Sequence, residues 1–245
     1  ASHIRVGTFE FFAYRQDTDA IRVLADYAIS RHYPSLMFED QPYQALFRAV
    51  AQRQAELIAD WMSLGFIHGV MNTDNFNVTG ETFDFGPGRF LPVSDPNFTA
   101  AYFDQQGLYR FGRQPLQGGW ALQQLASALL PLAEAEDLAS GLKPYERAYQ
   151  ESFVAHTHAL LGIAPLGDPQ ADTEFLQVFY AWMTETGASW PQTFFDWFGG
   201  RESASRAAAS PQAALYKEDR FTPVREGLLA RTPVRPERLE HAYFQ

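Results

Sequence analysis

Apolar residues at Leu46, Phe47, Val50, Leu57, Ile58, Trp61 and Met62 fall close to the i, i+3, i+4, i+7 spacing of one helical face. Pro42 suits a first helical turn and Gly65 supplies a stop, so the pattern predicts a long helix ending near Leu64. A shorter helix precedes it, capped by Asp17 or Thr18, with Ile21, Leu24, Ala25 and Ala28 as its stripe and Pro34 after its end. Helical spacing returns at about Leu116–Leu132, Pro144–Leu161, Asp172–Thr186 and Pro191–Phe198. Between Gly65 and Phe90 the pattern changes. Phe66-Ile67 is a short apolar run, Asn72 to Asn77 is polar, and Thr82-Phe83-Asp84-Phe85 alternates with period two, which predicts strand, loop, strand with Gly80 near the turn. The stretch from Gly199 to Gln212 is rich in Ala, Ser and Arg, carries no clear period and reads as a mobile surface segment. The expected fold class is mainly α with one small β-hairpin, divided into a lobe over 1–198 and a weakly patterned segment over 199–245 packed on it.

Composition narrows the function classes. The 245 residues include 19 Lys+Arg and 29 Asp+Glu, a net charge of −10, which argues against nucleic acid or an anionic membrane as partner. Cysteine is absent, so disulfides, thiolate catalysis and zinc-thiolate sites are all excluded within the chain. Hydrophobic residues at 46% and aromatic residues at 15% exclude a disordered chain. No apolar run approaches the roughly 20 residues of a membrane-spanning helix, and the opening Ala1-Ser2-His3-Ile4-Arg5 has no apolar core of a signal peptide.

One segment stands out for chemistry: His68-Gly69-Val70-Met71-Asn72-Thr73-Asp74-Asn75, followed by Asp84-Phe85-Gly86-Pro87. Hard cations take carboxylate and amide oxygens from irregular backbone. A strand–loop–strand unit can bring Asn75 and Asp84 onto one ion, as in kinase sites where a catalytic-loop Asn and an Asp-Phe-Gly aspartate hold the metals. Asp74 beside them could accept a proton from an attacking hydroxyl. The same residues also suit a plain turn, because Asp and Asn side chains bond nearby backbone. His68 reads as a structural hydrogen bonder, and Arg5 as half of a structural ion pair. His156 and His158 point to different faces of one helix and do not share a metal. Asn77-Val-Thr79 and Asn97-Phe-Thr99 match the glycosylation pattern by chance. The aromatic run Trp190, Phe194, Phe195, Trp197, Phe198 is most simply core.

The eight-residue motif His68–Asn75 with Asp84-x-Gly86-Pro87 resembles the signature of the selenoprotein O family of protein adenylyltransferases, which are kinase-like enzymes. Ser2-His3-Ile4-Arg5-Val6-Gly7-Thr8-Phe9-Glu10, His32-Tyr33-Pro34, Ile58-Ala59-Asp60-Trp61-Met62 and Gln114-Pro115 leading to Trp120 are similar to further stretches of that family. The resemblance is dense from Ala1 to about Leu132. It implies a protein-kinase-like C-lobe in which Asp74 is the proton acceptor and Asn75 and Asp84 are ligands of Mg²⁺ or Mn²⁺, with Asp84 also against the ATP phosphates. It implies transfer of AMP from ATP to Ser, Thr or Tyr hydroxyls of proteins, with the nucleotide reversed relative to ordinary kinases. Phe85 stands where the family usually has Tyr. Pro92, Leu108 and Arg113 also depart from its pattern, which bears on acceptor recognition rather than on the metal site. A bacterial member is expected in the cytoplasm and a eukaryotic one in the mitochondrion.

The family's N-terminal lobe, with its glycine-rich stretch, Lys and Arg residues that grip ATP, has no counterpart in these residues. Gly86-Pro87-Gly88 cannot replace it, because Pro87 has no backbone N–H to give a phosphate. Three readings stay open: the catalytic-loop half of an adenylyltransferase, a kinase-like phosphotransferase using the same residues, and a binding module that has lost the ATP grip. Between Gly65 and Gly88 there is no Lys or Arg to offset a triphosphate on a chain of net charge −10. The chain alone is therefore expected to transfer nothing and to bind Mg-ATP no better than roughly millimolar, about −4 kcal/mol. Calorimetry measures this, and micromolar binding would reveal a phosphate grip within the chain, at Arg5 or Arg89.

Overall fold

A computed structural model describes residues 2–239 of the chain; of the 199–245 segment, residues 240–245 lie outside the described residues. Helix α3 spans Pro42–Leu64, as its apolar stripe and the glycine after it require. Gly65 adopts a left-handed φ of +67°, the conformation that ends a helix most easily when no Cβ is present. Helix α2, Thr18–His32, starts where the Asp17 carboxylate accepts the Ala20 N–H at 3.0 Å, and Asp19 in its first turn and Arg31 and His32 in its last complement the helix dipole.

The chain divides into two compact units. The first comprises 1–62, 67–89 and 97–152, and holds α1 (Val6–Tyr14), α2, nearly all of α3, α4 (Gln114–Leu129), α5 (Ala135–Leu142) and the first half of α6 (Pro144–Leu160). Its core is built from fully buried Val6 and Phe9 of α1, Ile21 of α2, Phe47, Val50 and Ile58 of α3, and Leu122 and Leu125 of α4. Helix α1 has no apolar stripe of its own to announce it. It forms because its first residue and the segment before it pair with residues 76–78: Val6 N–H donates to Phe76 O at 2.9 Å, and Val78 N–H to Ile4 O at 3.0 Å. Tertiary anchoring of this kind stabilises a nine-residue helix that would be marginal alone.

The second unit comprises 63–66, 90–96 and 153–245, and holds α7 (Pro169–Thr186), α8 (Trp190–Asp196), α9 (Ala204–Ala209) and α10 (Thr222–Ala230). Its centre is aromatic. Trp182 lies 4.7 Å from Phe221 and Tyr216 lies 5.0 Å from Phe221 between ring centroids, with Trp190 and Trp197 also buried. Of the aromatic run after Ser189, Trp190 and Trp197 are core, as the spacing suggests, while Phe194, Phe195 and Phe198 are half-buried. The stretch expected to be a mobile surface segment instead holds a 3₁₀ turn at Gly200–Ser203 and helix α9, with Ser203 and Ala207 buried. Of the four alanines of α9 only Ala207 is buried, too little for a period to register, so the segment is ordered yet largely at the surface.

The β content is smaller than the alternation at Thr82–Phe85 suggests. Strand β1 (Phe66–Ile67) pairs antiparallel with β2 (Arg89–Phe90), not with 82–85. Thr82 makes one isolated antiparallel bridge, to Phe76, with Gly80 at the turn between them, and the extended run then breaks at Asp84. No helix among the described residues is long and apolar enough to cross a membrane.

Candidate active site

All the residues singled out for chemistry lie in the first unit. Asn72, Asp74 and Asn75 sit on a single 3₁₀ turn, Thr73–Asn75, started by the Asn72 side chain, whose Oδ1 accepts the Asp74 N–H at 3.1 Å. This is the local bonding that makes Asn and Asp turn formers, here used to fix the loop itself. Asn75 is buried, and its Nδ2 donates to Val70 O at 2.9 Å. That bond sets the amide orientation and leaves Oδ1 with no donor among the described residues. Asp74 and Asp84 are exposed.

Asp84 has a left-handed backbone with φ of +51°, one of only two such non-glycine residues among those described. Asp tolerates that region better than most residues, at a cost of about 1 kcal/mol or more, and such outliers gather at functional sites. No hydrogen-bond donor among the described residues meets its carboxylate. The Phe76–Thr82 bridge places Asn75 and Asp84 on the two limbs of one tight turn.

His68 joins the two limbs. Its Nε2 lies 2.8 Å from Phe83 O, and its Nδ1 is 3.3 Å from the Val70 N–H. The two contacts together fix the neutral tautomer with hydrogen on Nε2, which donates to Phe83 O while Nδ1 accepts. Burial pushes the His68 pKa down, outweighing the Phe83 carbonyl and the Asp84 charge that favour the proton. The Gln114 Oε1 accepts the His68 N–H at 2.8 Å, so the first turn of α4 also holds this motif. His68 is therefore a structural hydrogen bonder, and what it fixes is the carbonyl of the residue just before Asp84.

Arg5 differs from expectation. No carboxylate pairs with it among the described residues. Its Nη1 donates to Asp74 O at 3.2 Å, and its guanidinium lies 5.3 Å from the centroid of the Phe83 ring. An exposed backbone carbonyl and an aromatic face are partners that a charge-pattern reading cannot anticipate. Arg89, the other basic residue nearby in sequence, donates from Nε to Pro87 O at 3.5 Å and stacks 5.8 Å from the centroid of the Phe98 ring. Asn77 is 1% exposed and accepts the Thr79 hydroxyl at 2.7 Å, so its match to the glycosylation pattern is structural coincidence.

Besides the exposed Asp74 carboxylate, the turn offers one amide oxygen, Asn75 Oδ1, and one carboxylate, Asp84, without protein donors among the described residues. Among the described residues no group of three or more His, Asp or Glu side chains gathers that could hold a metal on its own. Two protein oxygens fit Mg²⁺ or Mn²⁺, since Mg²⁺ keeps several waters and takes further oxygens from phosphates.

Comparison with known proteins places this sequence in a family. The model of the family described as protein adenylyltransferase SelO matches residues 1–223. A protein nucleotidyltransferase YdiU of Rhizobium johnstonii is 47% identical over 200 residues, which is 79% of this chain and 40% of that relative. The protein of the same name from Cereibacter sphaeroides is 46% identical over 200 residues, 79% of this chain and 41% of its own length. The chain thus spans about 40% of the length of these curated relatives. With a family match over nearly its whole length, the chain belongs to the protein adenylyltransferase SelO family.

Proposed function

We propose that these residues form the catalytic-loop part, a protein-kinase-like C-lobe, of an enzyme that transfers AMP from ATP to Ser, Thr or Tyr hydroxyls of protein substrates. The remaining phosphate-binding groups come from a lobe outside this chain. The observation that carries the reading is the pair of oxygens the turn leaves without protein donors, Asn75 Oδ1 and the Asp84 carboxylate, beside an exposed Asp74. Asn75 and Asp84 would hold Mg²⁺ or Mn²⁺, which when bound offsets the negative charge of the triphosphate. His68, through Phe83 O, keeps Asp84 in place. Asp74 accepts the proton of the acceptor hydroxyl as its oxygen forms a bond to the α-phosphorus; the bond from that phosphorus to the bridging oxygen breaks, and pyrophosphate leaves. The bacterial relatives fit a cytoplasmic location.

Labelled ATP tests the reaction. With an active preparation containing this segment, label on the α-phosphorus is expected on protein and label on the γ-phosphorus is not. Transfer of γ-label would replace the proposal with a kinase reaction, and transfer of neither would leave a binding module.

A further inference from the structure

Gly7, in the first turn of α1, faces Asp74. A methyl group placed on its Cα would lie 2.3 Å from Asp74 Oδ1, 3.0 Å from Asp74 Cγ and 3.3 Å from the Asp74 backbone N. No real carbon sits 2.3 Å from a carboxylate oxygen, so either the side chain or the loop has to move. The φ of Gly7 is not left-handed, so backbone freedom does not explain the absence of a side chain here. What the glycine supplies is space, filled by the carboxylate proposed as proton acceptor.

The other contacts of Asp74 point the same way. Its backbone N–H is held by Asn72 Oδ1, its carbonyl by Arg5 Nη1, and the next residues are tied to α1 through Val6 N–H and Phe76 O. With the backbone fixed on both sides of the peptide, the remaining freedom of Asp74 is rotation of its side chain, and the bare face of Gly7 is one wall of the space in which it rotates. That wall is also the start of a helix, where the backbone dipole favours negative charge. We infer that Gly7 is a positioning residue: it sets where the Asp74 carboxylate rests, and a methyl group there turns the carboxylate away from an incoming hydroxyl. This rests on the role proposed for Asp74.

The test is a double-mutant cycle of Gly7→Ala and Asp74→Ala. Stability is read on this chain and transfer on an active preparation containing it. For transfer, Gly7→Ala is expected to lower kcat by roughly 10–100-fold, since misplacement of about 1 Å can cost 10², with the KM for Mg-ATP unchanged. In the Asp74→Ala background the same change is expected to alter kcat by less than about 2-fold, because nothing is left to displace. For stability, Gly7→Ala is expected to lower the melting temperature of the parent chain. In Asp74→Ala, where the methyl has room and alanine is the better helix former, it leaves the melting temperature level or raises it. If Gly7→Ala alone fails to fold, folding of the double variant supports the inference and its failure overturns it. Equal losses in both backgrounds, or no loss of kcat in the parent, also overturn it. Failure of the underlying reading looks different: Asp74→Ala itself would then retain full transfer.

Discussion

Replacing Asp84 with asparagine is expected to reduce AMP transfer to background, a loss on the order of 10³-fold or more, while leaving the fold intact. Two arguments give the size. Among the described residues the carboxylate meets no protein donor, and it is the charged member of the pair proposed to hold the metal, so its loss would remove the anchor for a metal-bridged triphosphate. The choice of asparagine follows from the backbone. At φ of +51° alanine would add strain of about 1 kcal/mol or more, whereas asparagine adopts this region readily. Asparagine thus removes the charge and keeps the conformation. Transfer of α-label measured beside the melting temperature separates the two effects. An asparagine variant that folds normally and keeps more than about a tenth of the parental rate would remove Asp84 from the proposed site.

How far this site is legible in the sequence depends on what kind of interaction defines each part. The bounds of α3 and the cap of α2 follow from spacing and from Asp17, because they rest on contacts a few residues apart. The Asn72–Asn75 loop is legible for the same reason, its bonds being local. Helix α1 is not, because nothing in Val6–Tyr14 shows that Phe76 accepts its first N–H. The alternation at Thr82–Phe85 misleads, because a single left-handed residue, Asp84, breaks the extension that the pattern implies. Arg5 bonds a carbonyl rather than a carboxylate, and backbone acceptors carry no mark in the sequence. Gly7 lies within a stretch that resembles the family, yet its role depends on an oxygen 67 positions away in the chain.

The network least visible in the sequence carries the largest expected effect on stability. Arg231 of the second unit is 2% exposed, and no local pattern suggests a buried arginine there. Its Nη2 donates to Asp172 Oδ1 at 2.7 Å, its Nε to His158 Nε2 at 2.9 Å and its Nη1 to Gly227 O at 2.9 Å, with the guanidinium 4.0 Å from the centroid of the Phe175 ring. Asp172 also accepts the Leu166 and Gly167 N–H groups at 3.0 and 3.2 Å. Burial alone would push the Asp172 pKa up, but the Leu166 N–H and Arg231 outweigh it and hold the carboxyl below its ordinary value. Arg231→Met therefore leaves a buried carboxylate without its counter-charge, and a loss of about 3–5 kcal/mol is expected, read as a lower urea midpoint. Acid acts on the same network in two steps. His158 accepts from Arg231 at Nε2 and donates from Nδ1 to Val154 O, so a second proton would set one N–H against another. Burial, with Arg231, lowers its pKa below 6.5. The unfolded chain then takes up the proton first, so the stabilisation from a neutral His158 is complete above about pH 6.5 and falls as pH drops below it. The contribution of Asp172 is present above about pH 4 and is lost as pH falls through its lowered folded value. Unfolding midpoints compared at pH 7.5 and pH 5.5 should be lower at pH 5.5, a step to which His68, also held below its ordinary pKa by burial, contributes beside His158. An equal or higher midpoint there would mean that His158 is not held neutral by this network.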